Sequence, residues 1–123
     1  MVEDFYLYIL MRDKDMASLN PGKSAAQSAH AANQFVKSRY GFDKEFKKWA
    51  GKLGYGTTIV LSANLREIDD VMVNESEYPV GIVTDETYPL KDGDTTHYFP
   101  CITCAYIFAP RRYHGISHLK LMK

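Results

Sequence analysis

Phe5-Tyr-Leu-Tyr-Ile-Leu-Met11 is a run of seven residues with no charge and no alternation between polar and apolar positions. A strand with one wet face alternates, so an unbroken run of this kind reads as a strand covered on both faces. Such a strand belongs in the middle of a partly parallel sheet. Parallel neighbours can be joined only by crossover connections, usually helical, and the rest of the chain must supply them.

The first crossover opens at Asn20-Pro-Gly-Lys23. Asn20 suits an N-cap and Pro21 the first helical position, where a missing N–H costs nothing. The pattern predicts a helix to about Tyr40, stopped by Gly41. Ala25, Ala29, Ala32 and Val36 recur at helical spacing with little bulk, and this face is expected to lie against the sheet. Lys23, Gln27, His30 and Gln34 form the opposite, polar stripe, with Gln34 read as solvated. A second helix is expected from Asp43 as N-cap, with Phe46, Trp49, Ala50 and Leu53 inward, Lys44, Lys47, Lys48 and Lys52 outward, and Gly54 past its end.

Residues 57–63 read as a second strand. Asn64 caps a short third helix with Glu67 at its third position and Leu65, Ile68, Val71 and Met72 inward. Residues 79–84 give a third strand ending on Asp85, residues 86–100 a long polar loop, and residues 101–109 a last, antiparallel strand closed by Pro110. The order β-α-α-β-α-β-β predicts one α/β domain over residues 1–123. Its expected architecture is a three-layer sandwich, a four-stranded mixed sheet with helices on both faces.

An apolar content of 46% and a charged content of 24% are ordinary for a soluble globular chain. The Phe5–Met11 run is too short to span a bilayer, and Glu3 and Asp4 precede it where a secretory signal carries basic residues. A cytoplasmic protein with no membrane partner is therefore expected. Two cysteines fit a reducing compartment. The zero net charge hides an asymmetry: residues 1–54 hold 9 Lys/Arg against 6 Asp/Glu, residues 55–100 hold 2 against 9, and residues 101–123 hold 4 against none. That balance argues against indiscriminate nucleic-acid binding and leaves room for a local positive surface.

Lys23 falls in the first turn of its helix, where free N–H groups, the positive end of the helix dipole and an ammonium converge on a site for an anion or a developing oxyanion. Parallel strands deliver their C-terminal ends to one rim, where ligands of open α/β sheets bind. Lys23 follows the first strand and Asp85 ends the third, so topology alone brings a cation and a carboxylate to that rim. Asp85 then suits a general base that activates water, although an Asp after a strand also suits a turn. Cys101 and Cys104, flanked by His97 and His114, have a metal-like spacing, but residues three apart in a strand point to opposite faces and no metal is expected. His30 reads as a packed, hydrogen-bonded histidine. Tyr98, Phe99 and Tyr106 read as core and loop anchors.

Gly22-Lys-Ser-Ala-Ala-Gln-Ser-Ala-His-Ala-Ala32, placed after a strand ending in Arg12-Asp13, resembles the G-K-x-A-A-Q-x-x-H-A-A signature of the type 2 peptidyl-tRNA hydrolase family. A tryptophan-bearing second helix, a strand ending Ile82 to Asp85, and Gly115-Ile-Ser-His-Leu-Lys-Leu121 extend the likeness along most of the chain. The resemblance implies a mixed sheet flanked by helices and metal-independent, cofactor-free hydrolysis of the ester joining a peptide to the 3′ end of tRNA. It implies catalytic roles for Lys23 and Asp85, and substrate-binding roles for Gly22, Gln27, His30 and Thr103. The family's D-A-G-x-T is replaced by Asp85-Glu-Thr-Tyr-Pro89, which leaves Thr87 as the catalytic threonine by a shift. Peptidyl-tRNA is the partner implied, with its backbone along Lys37, Arg39, Lys44, Lys47, Lys48, Arg111 and Arg112, and a homodimer is compatible with the reading. The alternative is a member that lost catalysis and binds RNA or protein.

Overall fold

The computed structural model describes residues 2–123, apart from the side chain of residue 52. The elements run β1 (Phe5–Met11), α1 (Pro21–Ser38), α2 (Asp43–Lys52), β2 (Thr58–Ser62), α3 (Leu65–Asn74), β3 (Val80–Asp92), β4 (Thr95–Pro110), a 3₁₀ turn (His114–Ile116) and β5 (Lys120–Leu121). The strands make one mixed sheet in the order β3-β4-β1-β2-β5. β1 pairs parallel with β2, while β4 pairs antiparallel with both β1 and β3. The unbroken apolar run is therefore the middle strand.

Its residues divide between two cores, as side chains pointing alternately to opposite faces must. Phe5, Leu7, Ile9 and Met11 pack with Phe35 of α1 and Trp49 of α2. Tyr8 and Leu10 pack with Ile68 and Val71 of α3 and with Ile116 and Leu119. Phe35 is the hub of the first core: its ring centroid lies 4.8 Å from Phe108 and 5.6 Å from both Trp49 and Tyr106. The third helix begins as its sequence predicts, with a reciprocal capping box between Asn64 and Glu67.

Five strands are present where four are expected. β5 is a two-residue antiparallel addition to β2, pairing Leu61 with Leu121 and Ser62 with Lys120. It is too short to show a period. What holds it is the buried Leu119 just before it and the Met122 N–H donating to the Val60 carbonyl just after.

The inner face of α1 is also not the alanine stripe. Ser24, Gln27, Ala31 and Phe35 are buried, whereas Ala25, Ala29 and Val36 are exposed. An aromatic ring removes roughly 150–250 Å² from water, far more than a few methyl groups, so the helix rolls to bury Phe35 and carries Gln27 inward with it. Gln34 follows, and its amide donates to the Ile82 carbonyl. His30 is exposed instead of packed.

Two boundaries of α2 move as well. Phe42, not Asp43, is the N-cap, held at φ 53°, and its ring packs 5.3 Å from Phe5 and 5.5 Å from Tyr78. That packing offsets the cost of a left-handed residue. Leu53 follows the helix as its C-cap and is 54% exposed, so it does not join the core.

Residues 86–100 form no loop. β3 and β4 continue past the sheet body as a two-stranded ribbon that closes where Asp92 pairs with Thr95. Gly93 sits at φ 61° as the first of two central residues, the position where a type II′ turn requires glycine. Pro89 pairs with Tyr98 without penalty because β3 is an edge strand and its missing N–H leaves no ladder partner short. Residues 91–100 are all exposed, Tyr98 and Phe99 included, which corrects their reading as anchors; Tyr106 alone is core. Nearer the body, the free edge of β3 is occupied by side chains: Gln34 reaches Ile82, and the Tyr40 hydroxyl donates to the Tyr78 carbonyl just upstream. Among the described residues no helix is long and apolar enough to cross a membrane.

Candidate active site

Two register shifts frame Asp85. Pairing steps from Val83–Cys104 to Thr84–Ile102, so Thr103 is an extra residue on β4; it then steps from Asp85–Cys101 to Tyr88–Phe99, so Glu86 and Thr87 together face Pro100. Bulges re-aim side chains locally and are frequent beside functional sites. Here the first turns Thr103 toward α1, while its carbonyl accepts from the Arg12 N–H at the end of β1. The second changes the parity of β3, so Tyr88 joins the α1-side core and Thr87 is free to fold back on Asp85. Asp85 therefore lies inside a strand, where the sheet body gives way to the ribbon, and not at a strand end.

The first shift also overturns an inference about the cysteines. With one residue bulged out between them, Cys101 and Cys104 both pack on the α1-side core. The Cys104 thiol donates to the Gln27 carbonyl, and burial pushes its pKa up to about 12. Among the described residues no three His, Cys, Asp or Glu side chains gather as metal ligands.

Asp85 is held from both sides. Its Oδ2 accepts from Gln27 Nε2 at 2.8 Å. Its Oδ1 accepts from the Thr87 N–H at 2.9 Å and from the Thr87 hydroxyl at 3.3 Å. A carboxylate only accepts, so the Gln27 NH₂ must face Asp85, and the Gln27 carbonyl oxygen is left to accept from Thr103 Oγ1 at 2.7 Å. The Thr87 N–H, first of all, lowers the Asp85 pKa below the usual carboxylate range. Partial burial opposes it, while Gln27, the Thr87 hydroxyl and the neighbouring His30 reinforce it. Three donors leave a lone pair on Oδ2 open to a water.

Lys23 stands one turn before Gln27 on the same face of α1. Asn20 Oδ1 accepts from its N–H at 2.9 Å, the cap expected from sequence. Its ammonium lies over the Tyr88 ring, 5.2 Å from the centroid, and the Tyr88 hydroxyl is pinned to Ser18 Oγ at 2.8 Å. Among the described residues Lys23 and Asp85 form no salt bridge. Lys23 instead opens on a groove of about 620 Å³ between the start of α1 and the ribbon residues Pro89, Leu90, Lys91 and Thr96. Comparison with protein-family models and with curated proteins gives no match.

The residues singled out by sequence thus fall into two groups. Lys23 lines the groove at the start of α1, Thr87 and His30 neighbour the half-buried Asp85, and Thr87, His30 and Gly22 are exposed. Thr103 is fully buried and Gln27 nearly so, and they hold the carboxylate through the Gln27 amide. Tyr88 and Ser18 were missed, because Tyr88 sits in a stretch whose parity only the bulge reveals. Of the basic residues, Arg39 pairs with Asp43 and Lys48 with Asp4; Lys48 and Arg111 line one pocket, and Arg111 and Arg112 line another beside Tyr8 and Leu61 of the α3-side core.

Proposed function

We propose that this chain is a hydrolase of the type 2 peptidyl-tRNA kind, cleaving the ester between a peptide and the 3′ end of tRNA without a cofactor. The two cores of the sheet read as the three-layer sandwich of that family. The observation that carries the proposal is a carboxylate immobilised by three donors, one of them from Gln27, one turn after Lys23 at the capped N-terminus of α1.

In this reading Asp85 accepts a proton from a water held at the open lone pair of Oδ2 while the water oxygen attacks the peptide's terminal carbonyl carbon. The Lys23 ammonium and the Gly22 N–H receive the oxyanion, the Lys23 and Ser24 N–H groups being taken by Asn20; one such donor is worth on the order of 3 kcal/mol at the transition state. Collapse expels the ribose 3′ oxygen, which takes the proton back from Asp85, and tRNA leaves with its hydroxyl restored. The peptide acid ionises to solvent. A depressed pKa keeps Asp85 charged at neutral pH and makes it a weaker base, within the roughly 10²- to 10⁴-fold that general-base help supplies. Thr87 orients Asp85.

A second reading rests on one observation. The Thr87 hydroxyl already donates to Asp85, which leaves no second donor to align the water, as in a binding module without turnover. A peptidyl-tRNA with a blocked amino group, incubated with the parent chain, Lys23→Ala and Asp85→Asn, separates the two. Release of free tRNA by the parent, falling at least 100-fold in both variants, is expected. Turnover that survives both substitutions refutes the mechanism, and tRNA binding without turnover by the parent favours the second reading.

A further inference from the structure

An open pocket of about 470 Å³ lies on the α3 side of the sheet, remote from Asp85 in the fold. Its floor is Tyr6 and Tyr8 of β1 with Ile59 and Leu61 of β2, and Ile116 and Leu119 close it from the C-terminal segment. No acidic side chain lines it; the two charged residues on its rim are Arg111 and Arg112. Arg111 also borders a smaller cavity that includes Asp4, yet among the described residues neither arginine takes part in a salt bridge.

Arg112 supplies a second, independent observation. Its φ is 62°, one of two left-handed non-glycine residues in the described chain. Glycine would occupy that position without strain, and strain of this kind persists where the surroundings over-determine it. The surroundings here are Tyr8 of the pocket floor, whose hydroxyl oxygen accepts from the Arg112 N–H at 3.1 Å and donates to the Pro110 carbonyl at 3.3 Å. A pocket residue thus fixes the backbone that carries a pocket cation.

We propose that this pocket binds a single-chain amphiphile with an anionic head, such as a medium-chain fatty carboxylate. The aliphatic and tyrosine floor takes the chain, and Arg111 and Arg112 take the carboxylate at the mouth. The volume falls within the range of small-molecule sites, and a mostly apolar wall with a few convergent charges is their usual chemistry. Three of the hydroxyls around the pocket are already engaged: that of Tyr8 as described, that of Tyr113 with Glu75, and that of Ser117, which donates to the His114 carbonyl.

The test titrates the full chain with decanoate, decanol and decylamine, following backbone amide shifts. Decanoate is expected to perturb residues 59–61 and 111–121 saturably, with decanol at least tenfold weaker and decylamine weaker still. Arg112→Gly is the informative variant. Its backbone tolerates φ 62°, so it should melt at or above the parent's temperature and yet bind decanoate at least fivefold less tightly, with decanol unchanged; Arg111→Ala should weaken decanoate likewise. Equal affinity for decanoate and decanol, decanoate binding untouched in both variants, or no saturable shift in the pocket overturns the proposal.

Discussion

Gln27 stands between Thr103 and Asp85, accepting a hydroxyl proton from the one and donating an amide proton to the other. The amide cannot flip without breaking both contacts, so a buried threonine in β4 sets the position of a carboxylate in β3 through a helix side chain. Gln27→Ala should leave the Thr103 hydroxyl buried without its partner. A loss of about 1–3 kcal/mol in urea unfolding is expected, with a larger proportional loss of the proposed ester hydrolysis because Asp85 is no longer fixed. Gln27→Ala together with Thr103→Val should recover part of the stability and none of the turnover.

Asp85 predicts a pH dependence of defined sign. Its folded pKa is depressed, chiefly by the Thr87 N–H, so its contribution to stability is complete above the unfolded value of about 3.9 and is lost as pH falls through the folded value. Glu67, lowered most by its Lys14 hydrogen bond, adds acid sensitivity of its own. The stability difference between parent and Asp85→Asn isolates the Asp85 share. Chemical denaturation should show that difference flat above about pH 5 and shrinking below about pH 4. A difference that grows toward acid would contradict the assignment of Asp85 as a stabilised carboxylate.

Gly56 is expected to be the least replaceable glycine. It sits at φ 72°, and an added Cβ would lie 2.2 Å from Trp49 Cε2. The indole cannot withdraw freely, since its Nε1 donates to the Thr57 carbonyl at 2.8 Å and its ring packs on Phe35. Gly56→Ala combines backbone strain with overpacking and should cost about 2–4 kcal/mol. Gly41→Ala, also at positive φ but with open space around its Cβ, should cost about 1 kcal/mol. Urea unfolding of the two variants makes the comparison.

The distal ribbon should be dispensable for folding. Leu90 and His97 are a cross-strand pair, and every residue between them is exposed. Replacing residues 91–96 with Asn-Gly keeps a two-residue hairpin connection. The thermal midpoint should move by less than about 4 °C, the equivalent of about 1 kcal/mol for a domain of this size.

Features that depend on a few neighbouring residues were legible in the sequence. The Asn20 cap, the Asn64–Glu67 capping box and the central apolar strand follow from local hydrogen bonding and burial, and each appears as expected. Features set by long-range geometry were not. The alanine stripe has the right period, but Phe35 outweighs it and its position decides the roll of α1. Gln27 counted as polar and therefore outward, whereas a polar group is welcome inside once Asp85 and Thr103 satisfy it. The bulge at Thr103, which reverses the expected relation between Cys101 and Cys104, has no local signature. Residues 86–100 read as a loop because they are polar and contain Pro89, which a strand tolerates only at an edge, and edge position is not visible in the sequence.

The side chains seated along the upstream half of β3 have a consequence for association. An incoming strand would have to displace the Gln34 amide from Ile82 and the Tyr40 hydroxyl from Tyr78 before it could find carbonyls to pair with. Growth of the sheet by recruitment of foreign chains is thereby discouraged at its longest open margin, and any extension that does occur must start from the outlying hairpin.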